Sequence, residues 1–332
     1  MMNRRSILLA ILVLAIQSLC GQASRSGDYY ATIEQIADAK RWPETNLWKA
    51  TIHHRERGKL YEISKEVPYD VQYPALYLSG VDGRSVILQP FDGRIEFYDT
   101  LGSRVAALSP FVEESPDYER IIKCSLARDR AVFLTSSPTE RGVSLVMTDM
   151  NGEQKWRIRL AHTTAGEVHV SENGRCILAG SYTSDDQLIR STVLLDNSGK
   201  ILRTLPQLFR YADFDADGSR FVISGRNSVT IGSITGTEGV STWSTRSREE
   251  IVTAVRWTRN HVAVVVETVD ISTGKPAYHA PSLVLLNEHA GAVLKKQIDS
   301  KSDAPATLEV SDDLVTLSSG NRHLRVTLED VE

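Results

Sequence analysis

Cysteine is scarce in this chain of 332 residues: Cys20, Cys124 and Cys176 are the three, too few to staple a disulfide-built scaffold. Positive charge is not in excess either. The chain has 38 Lys and Arg against 42 Asp and Glu, a net charge of −4, which removes the basic footprint from which nucleic-acid recognition starts. An apolar run long enough to span a bilayer is also lacking. Ile7–Leu19 holds thirteen residues; as a helix at about 1.5 Å per residue it reaches roughly 20 Å, short of a hydrocarbon core of about 30 Å. Aromatics make up 7% and apolar residues 41% of the chain. That supports a sizeable core and argues against disorder.

The beginning of the chain reads as an export leader. Asn3-Arg4-Arg5 is a positive start, Ile7–Ile16 an apolar run, and Gly21-Gln22-Ala23 sets small residues where a leader peptidase reads, predicting cleavage before Ser24. Cys20 raises a second reading, lipidation after cleavage, although Leu19 stands where a small residue is wanted. Removing residues 1–23 takes Arg4 and Arg5 and no acid, so the mature charge becomes −6, that is (38 − 2) − 42. The expected location is periplasmic or secreted, with no transmembrane helix in the mature chain. Cys124 and Cys176 then remain, in neighbouring repeats, and two separately buried thiols are expected rather than a bridge.

Next, Asp28 is placed to cap a helix through Tyr30, Ile33, Ile36 and Ala37, with Arg41 and Trp42 at its end and Pro43 stopping it. A helical segment is therefore expected within residues 24–46. From Leu47 onward turn residues and short alternating runs take over, most plainly in Glu167–Pro206, four apolar-alternating runs separated by turns. One series of turns lies at Asp82-Gly83, Asp129-Arg130, Asn173-Gly174, Asp217-Gly218, Arg259-Asn260 and Asp312-Asp313. Their second residues are spaced 47, 44, 44, 42 and then 53 apart. A second series interleaves with it: Asp99–Gly102, Asp149–Gly152 and Asp196–Gly199, with weaker copies at Asn287–Gly291 and Gly232–Gly239 and an early one at Arg57-Gly58. Asx side chains cap such turns and Gly takes the positive φ. A period in the mid-forties with two turns per unit predicts repeated four-stranded meanders.

The chain thus begins with the second half of a unit and ends with the first part of one, and joining them would remove two exposed sheet edges. Residues 47–332 are expected to form an all-β, six-bladed β-propeller, seven blades being the alternative. One detail resists six: the two early strands and the three terminal ones make five where four are wanted. Either Ala50–His53 lies outside the sheet or the count is wrong. The copies resemble the repeats of bacterial propellers related to quinoprotein and WD-repeat rings. Asp149–Gly152 followed by Lys155-Trp156 is closest to the quinoprotein type, whose Trp stands four residues after the Gly; the other copies have Ala106, Arg203 and Lys295 there. The resemblance implies a fold and no activity.

In such a meander the first and third turns of every unit emerge at one end of the ring and the remaining connections at the other. The latter are longer here: Ser109–Glu119, Ser136–Gly142, Ser181–Arg190, Trp243–Glu250, Val269–Pro281 and Asp299–Pro305. Binding concentrates on long loops over a rigid scaffold. The candidate contact residues on that face are Asp270, Lys275, Tyr278 and His279, then Asp185 and Asp186, then Arg246 and Arg248. Catalytic residues are not assignable: no Gly-x-Ser-x-Gly elbow and no zinc spacing among the eight histidines occurs. Asp213-Phe-Asp215-Ala-Asp217-Gly218 imitates half a calcium loop but has Ser224 at its twelfth position, so a hairpin is expected. No cofactor or metal is implied. The expected role is an exported binding scaffold in the cell envelope, contacting a protein or small ligand. An enzyme using the central funnel (quinone-dependent dehydrogenase, lactonase or glycan-active) is the second reading.

Overall fold

The computed structural model of the chain describes residues 28–37, 45–68, 73–89, 94–108, 120–137, 142–183, 186–235, 239–272, 275–311 and 313–331. The leader, Cys20 and the cleavage site lie outside them. No helix among the described residues is long and apolar enough to cross a membrane.

Strands gather into seven antiparallel sheets that succeed one another along the chain, numbered here sheet 1 to sheet 7. Sheets 2 to 5 each have four strands in chain order: sheet 2 lies within residues 75–108, sheet 3 within 120–159 and sheet 5 within 211–244, and sheet 4 is Thr164–Val170, Cys176–Thr183, Asp186–Asp196 and Ile201–Leu205. Sheet 6 carries an extra short strand, Lys301–Ser302, on its third strand Ala277–Leu286. Sheets 1 and 7 have three strands among the described residues: Tyr29–Ala37, Thr45–His54 and Gly58–Pro68 in one, Thr307–Ser311, Leu314–Ser319 and Arg322–Thr327 in the other.

Two expectations are corrected here. Tyr29–Ala37 is a strand in register with Thr45–His54, where a helix was expected. The spacing of Ile33 and Ile36 imitates a helical stripe, but Tyr29, Ala31 and Ile33 alternate. All three pack on Trp48, Ala50 and Ile52, and aromatic and β-branched residues suit a half-buried pleat. Arg41 and Trp42 lie outside the described residues. The second correction follows from the first. With Tyr29–Ala37 and Thr45–His54 both in sheet 1, the terminal strands form two separate sheets instead of one shared sheet, and the sheets number seven.

The first series of turns joins first to second strands throughout sheets 2 to 7, Asp312 of the last lying outside the described residues. The second series has one hydrogen-bond pattern. Asp99 Oδ1 accepts the N–H groups of Leu101 and Ser103 at 2.9 and 2.8 Å, and Asp149 those of Asn151 and Glu153 at 2.9 and 2.9 Å. Asp196 takes Ser198 and Lys200 at 2.9 and 3.0 Å. Asn287 does the same for His289 and Gly291 at 3.1 and 2.8 Å. Its left-handed residue is Ala290, φ 58°, where the other three turns use Gly. The weak copy at Gly232 fails: that residue lies inside the strand Ser228–Ser233, its missing Cβ leaving room for the Phe221 ring.

The core is divided among six junctions between consecutive sheets, because the second strands of sheets 2 to 6 are apolar on both faces. In sheet 3, Val132 and Leu134 pack against sheet 4 while Ala131 and Phe133 pack against sheet 2. In sheet 6, Val262, Val264 and Val266 meet sheet 5, and Ala263 and Val265 meet sheet 7. Cys124 and Cys176 are buried free thiols at different junctions, as expected. Between sheets 7 and 1 no buried apolar cluster occurs among the described residues. An ion pair of half-exposed side chains, Arg55 to Glu309 at 3.1 Å, joins them.

Candidate functional site

First strands of neighbouring sheets contact one another from sheet 1 to sheet 4 and again from sheet 5 to sheet 7. Ser125, His169 and Asp213, spaced 44 residues apart, occupy one level of sheets 3, 4 and 5. Ser125 Oγ accepts the Val170 N–H at 3.0 Å, and Asp213 Oδ2 accepts the Trp257 N–H at 2.7 Å. His169 stacks on Phe214 with ring centroids 5.5 Å apart, its Nε2 3.9 Å from Asp213 Oδ1. Burial, with the Arg256 charge adding to it, pushes its pKa down to about 3. The stacked imidazole and the Asp213 carboxylate, which accepts the Phe214 and Trp257 N–H groups, hold neighbouring strands together.

At the short-turn end, Asp28, Glu172, Asp215, Asp217, Arg220, Arg259 and Asp313 surround a depression of about 890 Å³. Its acids are partly consumed by structure. Asp215 accepts the Ser219 N–H and hydroxyl and the Arg220 N–H and Nε–H at 2.7 to 3.1 Å. Burial opposes the ionised form of Asp215, yet these bonds hold its pKa below the ordinary value. The imitation calcium loop is thereby a hairpin turn, with Asp213 and Asp215 turned to different partners.

The opposite end holds most of the expected contact residues. Asp270, Tyr278 and His279 come together, but in a hairpin instead of a loop. Val269 pairs with Tyr278 and Asp270 with Ala277, while Lys301–Ser302 adds a third strand against Tyr278 and His279. Lengthening the strands this way satisfies backbone groups that a loop would leave to water. Asp270 Oδ1 accepts the Ser272 N–H at 2.8 Å, and bonds from the Ser272 N–H and hydroxyl hold its pKa below the ordinary value. Lys275 is exposed near the tip. Ser181–Arg190 is likewise mostly strand, with Tyr182 opposite Arg190 and Thr183 opposite Asp186; Asp185 lies outside the described residues.

Arg246 and Arg248 belong to a different feature. With Arg226 they line a depression of about 550 Å³ whose other walls are Asn227, Ser228, Ser244, Thr245 and Ser247. Two connections build it: the turn between the second and third strands of sheet 5, and the link from sheet 5 to sheet 6. They are held together by backbone. Thr245 N–H donates to Asn227 O at 2.9 Å and Val252 N–H to Arg226 O at 2.8 Å, while Asn227 Nδ2 donates to Glu250 O. The neighbouring carboxylate is turned aside: Glu250 accepts the Arg246 N–H at 3.1 Å and faces Lys295 at 3.5 Å. All three arginines are exposed. Their guanidinium groups have no ion-pair or hydrogen-bond partner in a wall of this depression among the described residues. Arg226 was missed because its turn is short. The rule that alternate connections share an end would have placed it beside Arg246.

Seven successive antiparallel sheets among the described residues, most of them four-stranded, define a β-propeller. Solved structures agree. The chain is similar to "Structure of Dos1 propeller" at 12% identity and a TM-score of 0.52, over 89% of this chain and 77% of that one. It is similar to Kuenenia stuttgartiensis hydrazine synthase at 11% identity and a TM-score of 0.52, over 85% and 92%. No family model and no curated protein matches the sequence. Likeness at this identity speaks to fold alone. One detail of the propeller repeat is visible: Trp156 Nε1 donates to Asn197 O at 3.0 Å, docking sheet 3 on the turn of sheet 4.

Proposed function

We propose that this protein is an exported, seven-bladed β-propeller that works as a binding scaffold in the cell envelope, engaging its ligand on the long-connection face. The observation that carries the reading is the set Arg226, Arg246 and Arg248 around one depression with no carboxylate answering them. Guanidinium forks exposed in a concave site are suited to carboxylate or phosphate groups of a partner. The leader at residues 1–23 supports export, and the hairpin carrying Asp270, Lys275, Tyr278 and His279 supplies a second contact surface at the same end of the sheets.

The experiment is capture from a solubilised envelope fraction by the mature chain, by the triple variant R226A/R246A/R248A, and by a variant with the 270–277 hairpin tip shortened. Loss of a captured ligand in the triple variant supports the face. Equal capture by all three overturns it, and recovery of the unprocessed chain in the cytosol overturns export.

A further inference from the structure

Resting on that reading of the face, we propose that the arginine depression of sheet 5 takes a phosphomonoester. Charge comes first. Three guanidinium groups line the depression and no acid lines it; Glu250, beside it, is committed to the Arg246 backbone and to Lys295. Glu249 is exposed beside them and does not line the depression. A carboxylate or sulfate ester brings one negative charge to this site. A phosphomonoester brings about two above its second ionisation, near pH 6, and presents three oxygens that arginine forks address in pairs.

The hydroxyls supply the second element. Thr245 Oγ1 already donates to Ser247 O at 2.9 Å, and Ser247 Oγ accepts the Glu249 N–H at 3.2 Å. The Ser228 and Ser244 side chains make no hydrogen bond among the described residues and line the same depression. They are free to bond to the body that carries the phosphate. A volume of about 550 Å³ exceeds that of a lone phosphate and falls in the usual range for small-ligand sites, about 300–1,000 Å³. The same phosphate chemistry is offered by a soluble phosphorylated sugar and by a lipid headgroup, and the test separates these sources.

Calorimetric titration of the mature chain uses glucose 1-phosphate, glucose 6-sulfate and glucuronate as soluble probes. Vesicles containing phosphatidic acid, against plain phosphatidylcholine vesicles, form the lipid arm. Glucose 1-phosphate is expected to bind, weakening at least several-fold from pH 7.5 to pH 5 as its second proton returns. Each of R226A, R246A and R248A is expected to lose about tenfold, and R246K most of that, since lysine lacks the fork. Tighter binding of phosphatidic acid vesicles than of the sugar assigns the source to lipid; the reverse assigns it to a soluble ligand. Absence of glucose 1-phosphate and phosphatidic acid binding at millimolar phosphate overturns the proposal, as does equal binding by R226A/R246A/R248A. If that triple variant still loses envelope capture, the face stands and only the phosphate assignment falls.

Discussion

Arg55 Nη2 lies 3.1 Å from Glu309 Oε1 and so ties sheet 1 to sheet 7 across 254 residues of chain. The pair is half-exposed, and exposed pairs contribute about 0–1 kcal/mol. R55A and E309A are therefore each expected to lower stability by less than about 1 kcal/mol, with the swapped double variant R55E/E309R recovering most of it. Urea unfolding of the wild type, R55A, E309A and R55A/E309A, closed as a double-mutant cycle, measures the coupling. A coupling above about 2 kcal/mol would show that this contact is not the solvent-screened pair described here.

His169 predicts an acid-sensitive core. Its folded pKa is depressed to about 3, while an unfolded histidine titrates near 6.5. Folding thus favours the neutral ring, and the stability it contributes is present above about pH 6.5 and lost as pH falls toward 3, by up to about 1.4 kcal/mol per pH unit. His169→Phe, which keeps the stack on Phe214, should flatten that decline. Melting temperatures between pH 4 and 7 decide the matter: parallel curves for the two proteins would refute it.

Glu267 predicts the opposite slope. It is fully buried, takes the Thr253 hydroxyl at 2.6 Å and the Ala306 N–H at 3.1 Å, and burial outweighs these bonds to raise its pKa. An acid whose pKa is raised on folding contributes stability below its unfolded value, and this is lost as pH rises through the folded one. Glu267→Gln keeps an acceptor without the charge. It is expected to match the wild type near pH 4 and to exceed it increasingly as pH rises toward 8. Unfolding free energies that stay parallel from pH 4 to 8 would contradict this.

The turn series predicts a pair of effects of opposite sign. Ala290 holds φ 58° in a turn where its counterparts are Gly; Ala290→Gly relieves a left-handed strain of about 1–2 kcal/mol, less what its buried methyl contributes. A net gain of up to about 1 kcal/mol is expected. Gly199→Ala should destabilise by more, since the turn holds φ 86° and the added carbon would meet Ile158 Cδ1 at 2.5 Å. Denaturant midpoints of both variants measure the contrast, and a loss in A290G would show that packing outweighs the backbone.

Much of the architecture was legible because it is written in turns. Asp99, Asp149 and Asp196 each need a Gly three residues on for one local reason, so their spacing exposes the repeat before any contact is known. The first strand was not legible. In Tyr29–Ala37 the periods of two and of three to four overlap, and only packing on Trp48 and Ile52 selects the strand. The expected contact loops failed in a similar way, since polar residues such as Asp270 and Tyr278 do not reveal that their backbone pairs across a hairpin. Arg246 and Arg248 were found by position, but their gathering with Arg226 depends on two connections meeting in space.

Six of the seams between neighbouring sheets have buried apolar clusters, and at the seventh the described residues place an ion pair instead. Such a molecule resembles a bracelet with one clasp. A kosmotropic salt such as sulfate, which screens exposed ion pairs and strengthens apolar cohesion, would loosen it at that clasp while tightening the links elsewhere.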